Sequence, residues 1–248
     1  MRRRIVATLS VPVILIAGGV TIAVAGSGST TAQVTKAQAV AYADAINLRA
    51  ADVPGLEEGR LPAKRQTAAG PFGRGMDMCE SAAARAGLVI GISSPRFEHL
   101  SSRPIQGVSS GVYFFKSEAL AHGYLAAADS ARFAACLETA ASNQPKTVTC
   151  EGSKVAQPMS SEPHLSMLAA SLPDVRTYGV RLASHSACGA AGRSESYEDF
   201  LSFVRGDAAI TLNATSITLG ASGEAHPFPA ATERRLLALL QTRANKKG

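Results

Sequence analysis

Four cysteines and five histidines are the residues of this sequence whose spacing would reveal metal or redox chemistry. The cysteines form no C-x-x-C pair, which argues against a zinc ribbon and against a thioredoxin-like site. The histidines show no H-x-x-x-H or H-x-H spacing, so neither a metal site nor a cofactor is predicted. The cysteines are Cys79, Cys136, Cys150 and Cys188, and the histidines are His99, His122, His164, His185 and His226.

A serine in a glycine-rich segment is the candidate nucleophile. Residues 107–111 follow the pattern G-x-S-x-G around Ser109, which is typical of a hydrolase nucleophile elbow. Such an elbow joins a strand to a helix, whereas here a β-rich run follows at residues 112–115. We therefore interpret the segment as a flexible turn and assign no catalytic residue. Hydrolysis by Ser109 with one of the histidines remains the alternative function.

Several acidic residues are candidates for acid–base chemistry. Asp174, Glu195, Glu198 and Asp199 fall near predicted turns or strand starts, where a solvated carboxylate is the default. Glu195, Glu198 and Asp199 could rim a cleft together with Arg193. Nothing in their spacing marks a general acid and a general base, so the sequence predicts a protein that is not an enzyme.

The N-terminus predicts export. Arg2, Arg3 and Arg4 precede residues 5–25, which carry no charged side chain. As a helix this run would rise about 31 Å, which matches the hydrocarbon core of a bilayer. The arginines should stay in the cytoplasm, so the rest of the chain lies outside. Residues 23–25, Ala-Val-Ala, also resemble a signal-peptidase site, which leaves 1–25 either a cleaved signal peptide or a retained single-pass anchor.

Beyond this segment the sequence predicts a linker, 26–34, and one domain over residues 35–244. Helices are expected at 35–47, 77–87, 117–129 and 130–141, and a last helix after Pro229 buries Leu236, Leu237 and Leu240. Strands are expected at 88–93, 112–115, 147–155, 178–184, 200–204, 208–212 and 217–219. Residues 205–207, Arg-Gly-Asp, form a hairpin turn between two of them. The fold class is α+β, with a mainly antiparallel sheet and packed helices.

An even number of cysteines in an exported chain predicts two disulfides. Four cysteines allow three connectivities. Cys79 and Cys136 fall on predicted helices, and Cys150 and Cys188 fall in or beside predicted strands, which favours pairing within each set. A Cys136–Cys150 bridge is the rival, since only 14 positions separate the two residues.

The chain resembles the exported domains of actinobacterial envelope proteins, specifically the extracellular sensor domains of PknH-type serine/threonine kinases. The resemblance depends on the N-terminal membrane segment, the four cysteines in an antiparallel α+β frame, the Phe133-x-x-Cys136-Leu137 helix and the segment 200–207. It would cover about residues 35–244. It implies the pairs Cys79–Cys136 and Cys150–Cys188 and a ligand-binding role. The sequence has no kinase domain, so the resemblance does not extend to signalling by phosphorylation.

Charge excludes one class of partner. The net charge of +6 falls to +3 without the three leading arginines and to +1 without Lys246 and Lys247. Only 5% of the residues are aromatic, and no basic stripe interleaved with aromatic residues is visible, so nucleic-acid binding is not predicted. We therefore expect a non-enzymatic, sensor-like envelope domain. Its expected partners are an unidentified small molecule, lipid, glycan or envelope protein, and the membrane through residues 5–25 if these are retained.

Overall fold

The computed structural model of the chain describes residues 34–59, 65–66, 79, 86–99, 104–128, 130–142, 148–150, 153–155, 164–168, 171–187, 193–218 and 226–247. Every described residue lies in one compact unit, Gln33–Gly248. No helix within the described ranges is long and apolar enough to span a membrane. The predicted membrane segment, residues 5–25, lies outside those ranges.

The described helices are α1 (Lys36–Ile46), α2 (Glu118–Ala128), α3 (Ala131–Ser142) and α4 (Ala230–Lys247), with a 3₁₀ turn at Ala50–Asp52. The strands are β1 (Glu57–Glu58), β2 (Arg65–Gln66), β3 (Leu88–Ser93), β4 (Phe97–His99), β5 (Ile105–Phe115), β6 (Val148–Cys150), β7 (Ser153–Val155), β8 (His164–Met167), β9 (Thr177–Ala187), β10 (Arg193–Arg205) and β11 (Ala208–Thr218). The predicted α+β class is confirmed.

Nine of these strands form one sheet in the order β1-β4-β5-β11-β10-β9-β8, with β3 pairing with β5 and β2. Every described pair is antiparallel. Strands β6 and β7 form a separate hairpin. The predicted turn at residues 205–207 is confirmed, since only Gly206 and Asp207 separate β10 from β11. Gly206 has a φ of 58°, which a two-residue hairpin favours at this position.

The two faces of the sheet bury different helices because side chains alternate along each strand. On β11, Ile210 and Leu212 belong to the core shared with α1 and α4, whereas Ala209 belongs to the core shared with α2. The predicted leucine stripe of α4 is confirmed, since Leu236, Leu237 and Leu240 are all at most 1% exposed. Helix α4 therefore lies across the sheet, beside α1.

Helix α1 is fixed at both ends by hydrogen bonds. The predicted capping box is present, with the Gln38 backbone N–H donating to Thr35 Oγ1 and the Thr35 backbone N–H to Gln38 Oε1. At the other end, Ser110 Oγ donates to Asn47 Oδ1 over 2.9 Å and accepts from the backbone N–H of Leu48 over 2.8 Å. Ser110 is 2% exposed, so these bonds join the end of α1 to β5 out of contact with water.

The glycine-rich segment is a strand and not a turn, which corrects the sequence interpretation. Residues 107–111 lie in the middle of β5, between β11 on one side and β3 and β4 on the other. A Cβ at Gly107 would lie 2.9 Å from Arg96 Nε, and one at Gly111 would lie 2.5 Å from Tyr113 Cε2. These glycines therefore make room for side chains that cross the strand. A glycine with this role in a strand has the same turn propensity as a glycine in a loop, so the sequence alone does not distinguish the two cases.

One of the predicted disulfides is present. Cys79 and Cys136 are bonded, with their Cα atoms 5.5 Å apart and 57 positions between them in sequence. This bond excludes the rival Cys136–Cys150 pairing in the structure. The second predicted pair, Cys150–Cys188, falls partly outside the described residues, because Cys188 is not among them.

Candidate functional site

A pocket of about 320 Å³ opens beside the first turn of α4. Three elements form it: the turn that follows the 3₁₀ helix, the first half of β5, and the segment that leads into α4. Most of its wall is apolar, with Gln106, Thr232 and Arg235 as the polar members. The pocket is lined by Val53, Pro54, Leu56, Gln106, Phe228, Pro229, Thr232, Arg235 and Leu236.

The turn that forms one wall of the pocket is held in place. Gly55 has a φ of 87°, which glycine adopts without strain. The carboxylate of Asp52 accepts two hydrogen bonds from Arg243, over 2.8 and 2.7 Å, and the Asp52 carbonyl accepts one from Arg235 over 3.2 Å. Burial alone would raise the pKa of Asp52, but the hydrogen bonds from Arg243 and from the Arg49 backbone bring it below its usual value.

Three charged or acidic residues form a buried cluster between α4 and the sheet, which we call the carboxyl cluster: Arg181, Asp199 and Glu233. Arg181 on β9 donates two hydrogen bonds of 2.7 Å to Asp199 on β10. Asp199 is 1% exposed and Glu233 is 4% exposed. The hydrogen bond to Asp199 raises the pKa of Arg181, so the guanidinium stays charged.

Glu233 is the neutral member of the carboxyl cluster. Burial, the hydrogen bond with Asp199 and the charge of Asp199 raise the pKa of Glu233 to about 8. Two carboxyl groups in contact cannot share a hydrogen bond unless one carries a proton. At neutral pH the Glu233 carboxyl therefore donates its proton towards Asp199, and the cluster as a whole carries no net charge.

Two fully buried polar atoms on this face lack a hydrogen-bond partner among the described residues. They are the Oε1 atom of Glu233 and the Oγ atom of Ser216 on β11. Ser216 pairs across the sheet with Gln106, which lines the pocket, and Glu233 directly follows Thr232, which also lines it. Both atoms therefore belong to residues next to the wall of the pocket, on the same face of the sheet.

The structure separates two of the acidic residues singled out in the sequence, Glu198 and Asp199. The alternation of β10 directs Asp199 to the α4 face and Glu198 to the opposite face, where its Oε1 accepts a hydrogen bond from Asn213 over 3.1 Å. The expectation that Asp199 is solvated is wrong, because it is paired with Arg181 in the interior. Asp174 does lie in a turn, with a φ of 61°. The side chain of Arg193 lies outside the described residues.

The candidate nucleophile has no described histidine beside it. Ser109 pairs with Asn213 in the sheet, and His99 pairs with Gln106, three positions away and on the opposite face. His122 on α2 contacts Tyr178 on β9, with 3.1 Å between Nδ1 and the phenol oxygen. His164 is on the edge strand β8 and His226 is exposed before α4. The side chain of His185 is not among those that the structure describes. The described residues contain no group of three potential metal ligands.

The residues around the pocket were not found from the sequence, although one signal was available. Glu233 stands three positions before Leu236 and four before Leu237, which is the spacing of one helix face. It thus occupies the buried stripe of α4, and a carboxylate in such a stripe indicates a partner or a raised pKa. Gln106 and Ser216 carry no comparable signal, since each is one polar residue in an alternating strand.

Comparison with known proteins gives one structural likeness. No protein-family model matches this chain, and no curated protein sequence does either. A solved structure, the extracellular domain of PknH from Mycobacterium tuberculosis, is similar to it at 12% sequence identity and a TM-score of 0.45. The match covers 83% of this chain and 96% of that one. The resemblance predicted from the sequence is thereby confirmed as a loose structural similarity to the PknH extracellular domain.

Proposed function

We propose that this chain is an exported, non-enzymatic envelope domain that binds a small, mainly apolar molecule in the pocket beside α4. The observation that carries the proposal is the pocket itself. Its volume of about 320 Å³ falls in the range of roughly 300–1,000 Å³ that ligand sites occupy. Its composition, apolar walls with a few polar groups, is also typical of such sites.

The position of the pocket supports ligand binding further. Its walls come from residues more than 170 positions apart in sequence, from Val53 to Thr232. Arg243 and Arg235 both bond Asp52 and hold the two walls together. A ligand would therefore contact a largely preformed site, and the loss of side-chain entropy on binding would be small.

Binding in this pocket can be tested by filling it. In Thr232→Phe the larger side chain should occupy the pocket, whereas in Ala231→Phe it should extend into solvent from the neighbouring exposed position. We expect apolar probes of about eight heavy atoms to perturb the methyl NMR signals of Val53 and Leu236 in the wild-type chain and in Ala231→Phe, but not in Thr232→Phe. Equal perturbation in all three proteins would contradict the proposed site.

Export is a separate part of the proposal and has its own test. The three arginines before residues 5–25 support a domain outside the cytoplasm, either anchored by that segment or released after cleavage. A reporter that works only outside the cytoplasm, fused after Gly248, should be active, and a cytoplasmic reporter at the same place should be inactive. The opposite pair of results would contradict export.

A further inference from the structure

We propose that the ligand of the pocket is an amphiphile with an anionic head group, which Arg235 binds at the mouth of the pocket while the apolar chain fills the interior. This inference rests on the proposed function and adds the chemical class of the ligand. It starts from the composition of the wall, where Arg235 is the one charged side chain among the described lining residues. The other polar members, Gln106 and Thr232, are neutral.

The Arg235 guanidinium lies beside the turn that forms one wall of the pocket. Its Nη2 atom donates a hydrogen bond of 3.2 Å to the carbonyl of Asp52, which directly precedes the lining residue Val53. Arg235 is exposed, which puts its head group at the opening of the pocket. A guanidinium has five N–H donors, so this single bond leaves others for a ligand. The planar fork suits a carboxylate or a phosphate, which accepts two parallel hydrogen bonds.

The charge of Arg235 is not balanced by an acidic side chain of the described ranges. The ion pairs there join other residues, and the nearby carboxylate of Asp52 is occupied by two hydrogen bonds from Arg243. The acidic strand β1 follows the lining residue Leu56, but its two side chains are exposed and neither lines the pocket. The wall thus carries a positive charge that an anionic head group balances and a cationic one opposes.

The backbone carbonyls of the wall already accept hydrogen bonds from the protein. The Val53 carbonyl accepts from the Leu56 N–H over 3.1 Å, and the Pro229 carbonyl accepts from the N–H groups of residues 232 and 233 over 2.9 and 3.1 Å. An ammonium head group has three donors and needs free acceptors, whereas a carboxylate needs only donors. The wall therefore suits an anion better than a cation.

The volume of the pocket limits the length of the apolar chain. A molecule of liquid water occupies about 30 Å³, so a pocket of about 320 Å³ holds about ten non-hydrogen atoms. Octanoate, with eight carbon atoms and two oxygen atoms, has this size. Its chain would contact Val53, Phe228 and Leu236, which are all at most 5% exposed and form the apolar interior of the pocket.

The test compares octanoate with octanamide, which has the same number of non-hydrogen atoms and nearly the same shape but no charge. Each is titrated at pH 7 into the full-length chain in zwitterionic phospholipid nanodiscs, with the methyl NMR signals of Val53 and Leu236 as the readout and partition into empty nanodiscs subtracted. We expect octanoate to bind about fivefold more tightly, which corresponds to about 1 kcal/mol, the upper range for an exposed ion pair. Added salt should reduce this preference, because Arg235 is exposed. Octylammonium should bind more weakly than either.

Two neighbouring arginines locate the effect. Arg235→Gln removes the charge and keeps a side-chain donor, so octanoate should bind about fivefold more weakly while the affinity for octanamide changes less than twofold. Arg235→Lys keeps the charge and should retain a preference for octanoate above twofold. Arg234→Gln is the matched control, because it removes the same charge from the adjacent exposed position of α4, which does not line the pocket. It should leave the preference unchanged.

Octyl phosphate separates the two head groups that share this chemistry. If octyl phosphate binds more tightly than octanoate, the head group is a phosphate, as in a phosphorylated lipid. If octanoate binds more tightly, the head group is a carboxylate, as in a fatty acid. Both orders support an anionic amphiphile, provided that both anions bind more tightly than octanamide and both depend on Arg235.

Several outcomes would overturn the inference. It fails if octanoate and octanamide bind within twofold of each other, or if octylammonium binds as tightly as octanoate. It also fails if Arg235→Gln weakens octanoate and octanamide equally, because the arginine then acts only by holding the turn at Asp52. An equal effect of Arg234→Gln would likewise show that no contact with Arg235 is involved. In each of these cases octanamide still binds, so the proposed function stands. If no probe binds, the proposed function fails together with this inference.

Discussion

The carboxyl cluster predicts an unusual pH dependence of stability. The pKa of Glu233 is about 8 in the folded protein, against an ordinary value of 4.5 that applies to the unfolded chain. At a pH between these two pKa values, the Glu233 carboxyl holds a proton in the folded state and has lost it in the unfolded state. The free energy of unfolding must therefore decrease as pH rises from about 4.5 to about 8, and the contribution becomes constant above that range.

The magnitude follows from the two pKa values. Each unit of difference corresponds to about 1.4 kcal/mol, and integration from pH 5 to pH 8 gives a loss of roughly 3–4 kcal/mol from this one group. Most carboxylates act in the opposite direction, because native ion pairs stabilise their charged form. The effect of Glu233 must therefore be measured as a difference between two proteins that share all other titrating groups.

Glu233→Gln provides that difference. Its amide has the shape of the protonated carboxyl, can donate a hydrogen bond to Asp199 and does not ionise. Urea denaturation from pH 5 to pH 9 should show the variant and the wild-type protein close in stability at pH 5. The variant should then become more stable by roughly 3–4 kcal/mol at pH 8.

A second glutamate serves as the control. Glu118 occupies the first turn of α2, as Glu233 does in α4, but its side chain is 64% exposed. Its contact with His122, 3.8 Å from Nε2 to Oε1, is also exposed, so the profile of Glu118→Gln should follow that of the wild-type protein to within about 0.5 kcal/mol. If Glu233→Gln also runs parallel, the carboxyl of Glu233 is ionised in the folded protein and the account of the cluster is wrong.

Three further predictions concern the scaffold. Ser110→Ala should cost roughly 2–4 kcal/mol of stability in urea denaturation, because Asn47 Oδ1 and the Leu48 N–H lose their buried partner. Ser109→Ala should change stability by less than about 0.5 kcal/mol, and similar losses in the two variants would contradict the burial of this network. Arg243→Met should lower the free energy of unfolding by about 1–3 kcal/mol at pH 7. Because the pKa of Asp52 in the folded protein lies below its usual 3.8, this loss should shrink as the pH falls below about 4. A loss that does not depend on pH would mean that the Asp52 charge is not involved. Gly123→Ala in α2, where a Cβ meets nothing within 4 Å, should add about 0.5–1 kcal/mol of stability and raise the melting temperature. Gly111→Ala should lower the melting temperature, because its Cβ would overlap Tyr113. Equal shifts in the two variants would contradict the close contact on β5.

The parts of the fold that were predicted depend on local signals. The capping box of Thr35 and Gln38, the leucine stripe of α4 and the Arg-Gly-Asp hairpin each lie within a few residues of sequence, where the backbone preferences of those residues decide the structure. The predicted strand at 88–93 coincides with β3. The predicted strands within β5, β10 and β11 were too short, because the polar residues that extend them are paired within a wide sheet. The run predicted at 147–155 was too long, since it contains two strands, β6 and β7.

The site was missed because its residues are brought together only by tertiary structure. Asp199 was expected in solvent, as most aspartates are, since the sequence does not show that Arg181 lies opposite it on the next strand. Ser109 attracted attention through its motif, whereas the neighbouring Ser110 forms the buried bonds to α1. The pocket combines a turn near residue 54, one strand and the start of the last helix, and no spacing in the sequence relates these three.

The contact between α4 and the 3₁₀ turn at Ala50–Asp52 bears on when the domain can fold. Arg243 bonds Asp52 across 191 positions, and β11 pairs with β5 about 100 positions earlier. Closing loops of this length costs conformational entropy before any contact compensates for it, so folding should be slow relative to a helical bundle of similar size. During synthesis α4, with its buried leucines and Ala244, supplies the last described core residues of this face to emerge. Until then the face is covered by α1 alone, and the growing chain exposes apolar surface that invites aggregation.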